Sequence, residues 1–275
     1  MNKIVFVVLH YKALEVTDEC ISCLLNQNYK NFYVLVIDNY SNDNSTEHLL
    51  LKYESIDNLN IIQLEENYGF AKANDIGFLV AKYRYNADYI VVINNDLYIR
   101  DIDFCSKLVN LDYNDNVGVV GPDIINLNGI HQNPLYNCYT SLKQVDRAIF
   151  ITKIKIILLS FINKNKNKRR ILNKYESEKK FNIPLHGSCL IFLKPFITKM
   201  NYAFYPDTFL YGEEELLFYL CKKNHISTVY EPSIKVEHME DASTEFICKT
   251  NKEKRLFQLR NSLQSLYVIK KVMTR

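Results

Sequence analysis

The chain has 275 residues, 48% of them hydrophobic, enough to bury the core of one large domain or two small ones. Its net charge of +3 and pI of about 8.3 are too mild for the basic footprint of a nucleic-acid binder. The first apolar run, Ile4–Leu9, is too short for the core of a signal peptide, and seven scattered cysteines give no disulfide framework.

The first hundred residues alternate between two hydrophobic periods. Ile4–Leu9, Phe32–Ile37, Asn60–Leu64 and Tyr89–Ile93 are runs of the kind buried on both faces of a parallel sheet. Between them Glu15–Leu25, Thr46–Tyr53 (with Ser45 as N-cap) and Ala71–Lys82 carry helical spacing. Cys20 and Cys23 form a lone C-x-x-C on the first of these helices, which reads as part of a reduced, cytoplasmic thiol set. Strand–helix alternation with short connections predicts an α/β domain with a mostly parallel central sheet. In such sheets ligands bind beyond the carboxyl ends of the strands. The residues there are His10-Tyr11, Asp38-Asn39, Glu65–Gly69 and Asn94-Asn95-Asp96. Turn formation and helix capping are the better explanation of any single one of these loops, but four polar strand ends that converge by topology point to a site.

Further along, the pattern predicts a helix over Phe104–Leu111 and a strand over Val117–Val120, ended by Gly121-Pro122. Residues 126–147 read as a loop. The stretch "AIFITKIKIILLSFINKNKNKRR" follows, too short and too charged to span a bilayer. Residues 148–170 fit an apolar helix lying in a membrane surface with lysines on anionic head groups, or a core helix followed by a solvated basic loop. Strands are predicted at Cys189–Leu193 and along "IKVEH", ending at His238, with a helix after the Glu213-Glu214-Glu215 cluster. The last helix, 249–271, carries Phe257, Leu263, Leu266 and Tyr267 as its apolar side.

Asp96, at the carboxyl edge of the fourth strand, is the residue type that holds Mg²⁺ or Mn²⁺ together with substrate phosphates. His238 ends a strand and offers a nitrogen ligand; alone, it reads first as a structural or exposed histidine. The glutamate cluster reads as helix capping through the macrodipole. It reads also as carboxyls whose mutual repulsion raises their pKa for general-base work, walled by Phe209-Leu210-Tyr211-Gly212.

The pieces "IVFVVLHYKALEVTDECISCLLNQNY", "VLVIDNYSNDNS", "NYGFAKANDIGF", "VVINNDLYI", "GSCLIFLKP", "FLYGEEELL" and "EPSIKVEH" occur in one order. In that order they resemble glycosyltransferase family 2, the inverting enzymes of GT-A fold, over roughly 3–125 and 181–265. "NYGFAKAN" and "FLYGEE" are most similar to rhamnosyltransferase-like members that build bacterial capsule, O-antigen or other surface polysaccharide. The resemblance implies one continuous GT-A domain: a nucleotide-sugar half over 1–125, an insertion over 126–180, and an acceptor-side half with a C-terminal helix over 181–275. It makes His10, Tyr11, Asp38, Asn39, Asn67, Gly69, Phe70, Asn74, Asn94, Asn95 and Asp96 the residues around a UDP- or dTDP-type sugar donor. Within that set Asp38 is the reader of the base and Asp43 closes its motif. Asp96 and His238 become the ligands of a divalent cation, Mg²⁺ or Mn²⁺. Glu214 becomes the catalytic base, with Glu213 as second choice.

Two departures stand out. The first acid of the family's D-x-D motif is Asn94 here, which predicts weaker cation binding. The base position is Glu where Asp is commoner. The implied reaction is sugar transfer to a glycan or lipid-linked acceptor by a cytoplasmic enzyme, peripheral on the membrane and able to self-associate through its aromatic C-terminal helix. Two rival readings are a sugar nucleotidyltransferase and a non-catalytic glycan-binding subunit. The first strand is followed by "HYKALEV", without the glycine-rich loop of a nucleotidyltransferase. No G-x-G-x-x-G follows any strand, which argues against a nicotinamide enzyme.

Overall fold

The computed structural model describes residues 1–136, 138–161, 175–239 and 250–275. In chain order its elements are β1 (Ile4–His10), α1 (Leu14–Leu25), β2 (Phe32–Asp38), α2 (Ser45–Lys52), β3 (Leu59–Gln63), α3 (Gly69–Tyr83) and β4 (Tyr89–Asn94). There follow β5 (Leu97–Tyr98), α4 (Phe104–Val109), β6 (Val117–Asn126), α5 (Leu142–Phe161), β7 (Lys180–Phe181) and β8 (Cys189–Phe192). The chain closes with α6 (Lys194–Lys199), α7 (Glu213–Lys223), β9 (Ser227–His238) and α8 (Asn251–Met273).

The strands form one mixed sheet in the order β3-β2-β1-β4-β8-β6-β9-β5, with β7 beside β9. β1 to β4 pair in parallel. β8 runs antiparallel to both β4 and β6, so β6 and its parallel partner β9 point the same way as β4. Six strands thus share one direction, and the sheet is mostly parallel, as the alternation predicts. The chain winds outward through β2 and β3, then returns to the other side of β1 as β4. That reversal opens a crevice at the carboxyl ends of β1 and β4.

Strand pleat sorts the core into two layers. Ile4, Phe6 and Val8 face α1, α2 and α4, with Ile21, Leu24 and Phe104 among their buried neighbours. Val5 and Val7 face α3 and the helices of the second half, with Phe78, Phe196, Leu217 and Ile269 in that layer. Each such apolar side chain, removed fully from water, is worth about 1.5–3 kcal/mol.

Four expectations are corrected. Gly121-Pro122 does not end a strand: β6 runs on to Asn126, and the proline falls at a register shift between Pro122 and Asp123, the kind of irregularity that tolerates a residue without an N–H. The loop predicted to 147 already turns helical at Leu142, because Val145 and Ile149 bury against the second half. Ser45 is the first helical residue, and the N-cap is Asn44 in left-handed conformation. The buried side of α8 is Ser265, Leu266, Ile269 and Val272, while Tyr267 turns outward and is 45% exposed.

Candidate active site

The carboxyl ends of β1, β2 and β4 open onto a cavity of about 460 Å³. Eleven of the fourteen site residues named from the sequence line it: Tyr11, Asn39, Asn67, Gly69, Phe70, Asn94, Asn95, Asp96, Glu213, Glu214 and His238. Phe209, Leu210 and Tyr211 form part of its wall, as expected of them.

The donor-side loop is tied down by amides. Asn39 Nδ2 donates to Asn67 Oδ1 at 3.0 Å, and its Oδ1 accepts from the Tyr68 N–H at 2.9 Å. Asn67 Oδ1 also accepts from the Gly69 N–H at 3.0 Å. Gly69 has φ +78°, and the N–H of Phe70 donates to the Phe209 carbonyl at 2.7 Å. A Cβ on Gly69 would lie 2.5 Å from the Phe209 ring, so only glycine lets the two loops close on each other.

Three predicted donor contacts lie behind the cavity and outside its lining. His10 is fully buried between Thr17 (2.7 Å from Nδ1) and Ser45 (2.8 Å from Nε2), and burial lowers its pKa. Asp38 is fully buried as well; Oδ1 accepts from the Ser41 N–H at 3.0 Å and Oδ2 from Thr46 Oγ1 at 2.6 Å. Asn74 donates to the Phe70 carbonyl one helical turn back. The reason at β1 is pleat: Leu9 and Tyr11 line the cavity, so His10 between them points the other way. These side chains shape the site from behind, His10 through Thr17, which accepts from Asn95 Nδ2 at 2.9 Å. Asp43 accepts from the N–H and hydroxyl of Ser45, a local turn contact.

Asp96 and His238 meet although 142 residues separate them: β5 pairs Leu97 with His238, and the Met239 N–H donates to the Asp96 carbonyl. Asp96 Oδ2 lies 3.5 Å from His238 Nε2, with both side chains about 10% exposed. Gln132 Oε1 is 2.6 Å from His238 Nδ1, which places the ring proton on Nδ1 and turns the Nε2 lone pair towards Asp96. Among the described residues the Oδ1 atoms of Asp96 and Asn94 are buried without a hydrogen-bond partner. Among the described residues, no group of three or more His, Cys, Asp or Glu side chains surrounds a common point. One carboxylate with an orphaned oxygen, one orphaned amide oxygen and one imidazole fit a hard cation that takes its remaining ligands from a substrate diphosphate and water.

Gly212, at φ +96°, turns the chain into α7, whose first turn is the glutamate cluster. Glu213 is 3% exposed, its Oε1 has no partner among the described residues, and burial, reinforced by the Glu214 charge, pushes its pKa up to about 8. Burial pushes Glu215 up to about 7, again with help from Glu214. Glu214, half-buried, is raised by burial but held back by backbone N–H groups of its own residue, Gly187 and Gly212. The Gly187 N–H donates to Glu214 Oε1 at 3.4 Å, and a Cβ there would come within 2.9 Å of that oxygen. Donors aimed at one carboxylate favour its charged form. Burial thus raises all three carboxyls, and Glu214 is the one on which the N–H groups of Gly187 and Gly212 bear.

Sequence reasoning missed Gln132, His186, Ser188, Phe257 and Gln258 in the lining. The His186–Ser188 loop precedes its strand. β8 is antiparallel, so its amino end lies at the carboxyl edge of β4, with the Asn94 N–H donating to the Ser188 carbonyl at 2.8 Å.

Residues 5–174 match the family model described as Glycosyl transferase family 2, and the chain belongs to that family. A dTDP-rhamnosyl transferase of Shigella flexneri, RfbF, is 32% identical over 108 residues, 39% of this chain and 34% of that protein. Glycosyltransferase GlyG of Streptococcus pneumoniae serotype 4 is 26% identical over 102 residues, 37% of this chain and 33% of its own. The chain thus spans about a third of the length of the curated relatives it matches. The mannosyltransferase PcManGT from Pyrobaculum calidifontis, in complex with GDP-Man and Mn²⁺, superposes with TM-score 0.56 at 12% identity, over 97% of this chain and 73% of that one. S. aureus TarS 1–349 in complex with UDP-GlcNAc gives 0.56 at 16% identity, over 87% and 59%. At such identities the likeness establishes the GT-A fold.

Proposed function

We propose that this chain transfers a sugar, with inversion, from a UDP- or dTDP-type nucleotide sugar to a hydroxyl of a glycan or lipid-linked acceptor, in the synthesis of bacterial surface polysaccharide such as capsule or O-antigen. The observation that carries this reading is one cavity holding both the Asp96–His238 pair and the Glu214 carboxylate, linked through the 186–188 loop. The half over 1–125 binds the donor, with Tyr11, Asn39 and the 67–70 loop around the nucleotide. The half over 181–275 receives the acceptor. Glu214 accepts the proton of the acceptor hydroxyl, whose oxygen attacks the anomeric carbon opposite the leaving nucleoside diphosphate, in one displacement. Asp96 and His238 would hold Mg²⁺ or Mn²⁺, which would supply Lewis-acid stabilisation of the diphosphate charge.

The same reading places the protein in the cytoplasm, peripheral on the membrane through residues 148–170. On α5 Phe150, Ile151, Ile154, Ile157 and Leu158 are exposed, while Val145, Ile149 and Thr152 are buried on the opposite side. Lys153 and Lys155 flank the exposed stripe, as cationic residues do on interfacial helices. Residues 162–170 of that stretch lie outside the described residues. Among the described residues, no helix is long and apolar enough to cross a membrane. Self-association through α8 would use the exposed Tyr267, since the apolar side of that helix is occupied by the chain's own core.

The test is release of nucleoside diphosphate from a panel of nucleotide sugars, with and without Mn²⁺ or Mg²⁺. Release from one donor, abolished in Asp96→Ala, is the expected result. No release from any donor, together with no calorimetric binding of any nucleoside diphosphate, would sink the reading.

A further inference from the structure

Gln132 lies outside every sequence motif of the site and reaches the cavity through a short antiparallel return along β6. The Asn126 N–H donates to the Ile130 carbonyl at 3.0 Å and the Gln132 N–H to the Ile124 carbonyl at 2.8 Å, so residues 130–132 run back beside the end of that strand. The neighbours of Gln132 are anchored on β6 itself. His131 Nδ1 lies 2.8 Å from Oδ1 of the fully buried Asp123, and Asn133 Nδ2 donates to the Pro122 carbonyl at 2.9 Å. Side chains alternate along an extended stretch, so Gln132 between them turns the other way and enters the cavity lining. Its Oε1 lies 2.6 Å from His238 Nδ1.

An amide oxygen only accepts, so the neutral His238 ring carries its proton on Nδ1. On the far side of the ring Nε2 is 3.5 Å from Asp96 Oδ2, longer than the about 2.7–3.2 Å of an N–H···O bond. A lone pair and a carboxylate therefore face each other with no proton between them. In the opposite tautomer Nε2–H would point at that carboxylate, and a small shift of the ring would join the two in a charge-assisted hydrogen bond. Such a bond would take the ring nitrogen and the carboxylate oxygen out of use together. We infer that Gln132 is a positioning residue that keeps the Asp96–His238 pair open to a cation: by holding the ring proton on Nδ1 it stops the pair from closing on itself. The inference rests on the cation site of the transferase reading, and within it Gln132 acts through His238.

The experiment compares wild type, Gln132→Met and Gln132→Glu. Methionine keeps the length of the side chain and removes the acceptor; glutamate keeps an oxygen at the same place. The first readout needs neither metal nor substrate. It is the ring-nitrogen chemical shifts of protein labelled with nitrogen-15 histidine, in chelator at about pH 8, above the ordinary histidine pKa of about 6.5. The His238 signals are those lost in His238→Ala. Wild type and Gln132→Glu should carry the proton on Nδ1, and Gln132→Met should carry it on Nε2. The second readout is calorimetry of Mn²⁺, alone and with UDP, dTDP or GDP present. Gln132→Met should bind Mn²⁺ about 10–100-fold more weakly, the scale of losing the outer partner of a metal-ligating histidine, and Gln132→Glu should at least match wild type. Thermal melts in chelator show that the fold is kept. A wild-type His238 with its proton on Nε2, or a Gln132→Met that leaves the tautomer where it was, overturns the inference. So does a Gln132→Glu that weakens Mn²⁺ binding as methionine does. A wild type that binds no Mn²⁺, with or without nucleoside diphosphate, overturns the cation site of the transferase reading and this inference with it. A wild type that binds Mn²⁺, with Gln132→Met unchanged in affinity, overturns the inference alone.

Discussion

The two glutamates at the start of α7 differ in a way that a pair of isosteric substitutions can read. Glu213 is 3% exposed and pushed up to about 8 by burial, so about nine in ten molecules keep it protonated at pH 7. Glutamine mimics a protonated glutamate, and Glu213→Gln should keep turnover within about threefold of wild type. Glu214 has backbone N–H groups that favour its charge, and Glu214→Gln leaves a group that fills the same space but cannot take a proton. Loss of a positioned base costs about 10²–10⁴-fold, or roughly 3–5 kcal/mol of transition-state stabilisation. The assay is nucleoside diphosphate release at saturating donor and acceptor, with donor affinity measured separately to confirm that Glu214→Gln still binds. A stability measurement gives an independent check. The folded pKa of Glu213 lies above its ordinary 4.5, so its carboxyl favours folding least when ionised. Its contribution is fully present below pH 4.5 and is lost as pH rises through 8. Glu213→Gln should therefore melt above wild type at pH 9, and the gap should shrink as the pH falls to 6. A Glu214→Gln enzyme that keeps more than a tenth of its turnover, or a dead Glu213→Gln beside it, would refute the assignment.

Gly69→Ala forces a side chain to φ +78° and 2.5 Å from Phe209; it should lower stability by at least about 1–2 kcal/mol and weaken nucleotide binding, read by denaturant melts and calorimetry. Asp75 Oδ1 accepts from the N–H groups of Ala203 and Phe204 at 2.8 and 2.9 Å, and burial pushes its pKa up to about 7. Asp75→Ala strands both donors and should cost about 1–3 kcal/mol for each, while Asp75→Asn, which keeps an acceptor, costs less. Phe150→Glu with Ile154→Glu and Ile157→Glu should abolish co-sedimentation with anionic vesicles at an unchanged melting temperature, since all three side chains are exposed. Unchanged sedimentation would remove the membrane role of α5, and a dimer dissociated by the same variant would assign that face to a second copy.

How much of this was legible in the sequence depended on one regularity. Four apolar runs separated by helices gave the parallel half of the sheet, because strands buried on both faces leave no polar positions to confuse the pattern. The rule that ligands sit after strands found Asn94–Asp96 and His238, because β4 and β9 point the same way. It failed at β8, whose antiparallel direction brings the residues before the strand, His186 and Ser188, to the site. It over-reached at His10 and Asp38, because strand ends alternate their side chains and the neighbours Leu9, Tyr11 and Asn39 took the inward positions. Gln132 and Phe257 came from a loop and from the far end of the chain; only tertiary packing could deliver them.

Asn94 is where the chain departs from its family's acidic pair, and its buried, unpartnered Oδ1 shows what the departure does. A carboxylate there would stand beside Asp96 in a cavity without lysine or arginine among its described lining, and without a cation it would be uncompensated charge. An amide supplies an oxygen to the same place at no charge cost to the metal-free protein, at the expense of a weaker pull on the cation. Asn94→Asp should therefore move two quantities in opposite directions. Mn²⁺ affinity, measured by calorimetry without substrate, should rise by about tenfold, as adding a carboxylate to a hard-cation site does. Stability in chelator, read by denaturant melts, should fall by the order of 1–3 kcal/mol for partly buried like charges, and recover on adding Mn²⁺. If affinity and chelator stability are both unchanged, Asn94 does not face the cation, and the orphaned oxygen belongs to the donor sugar.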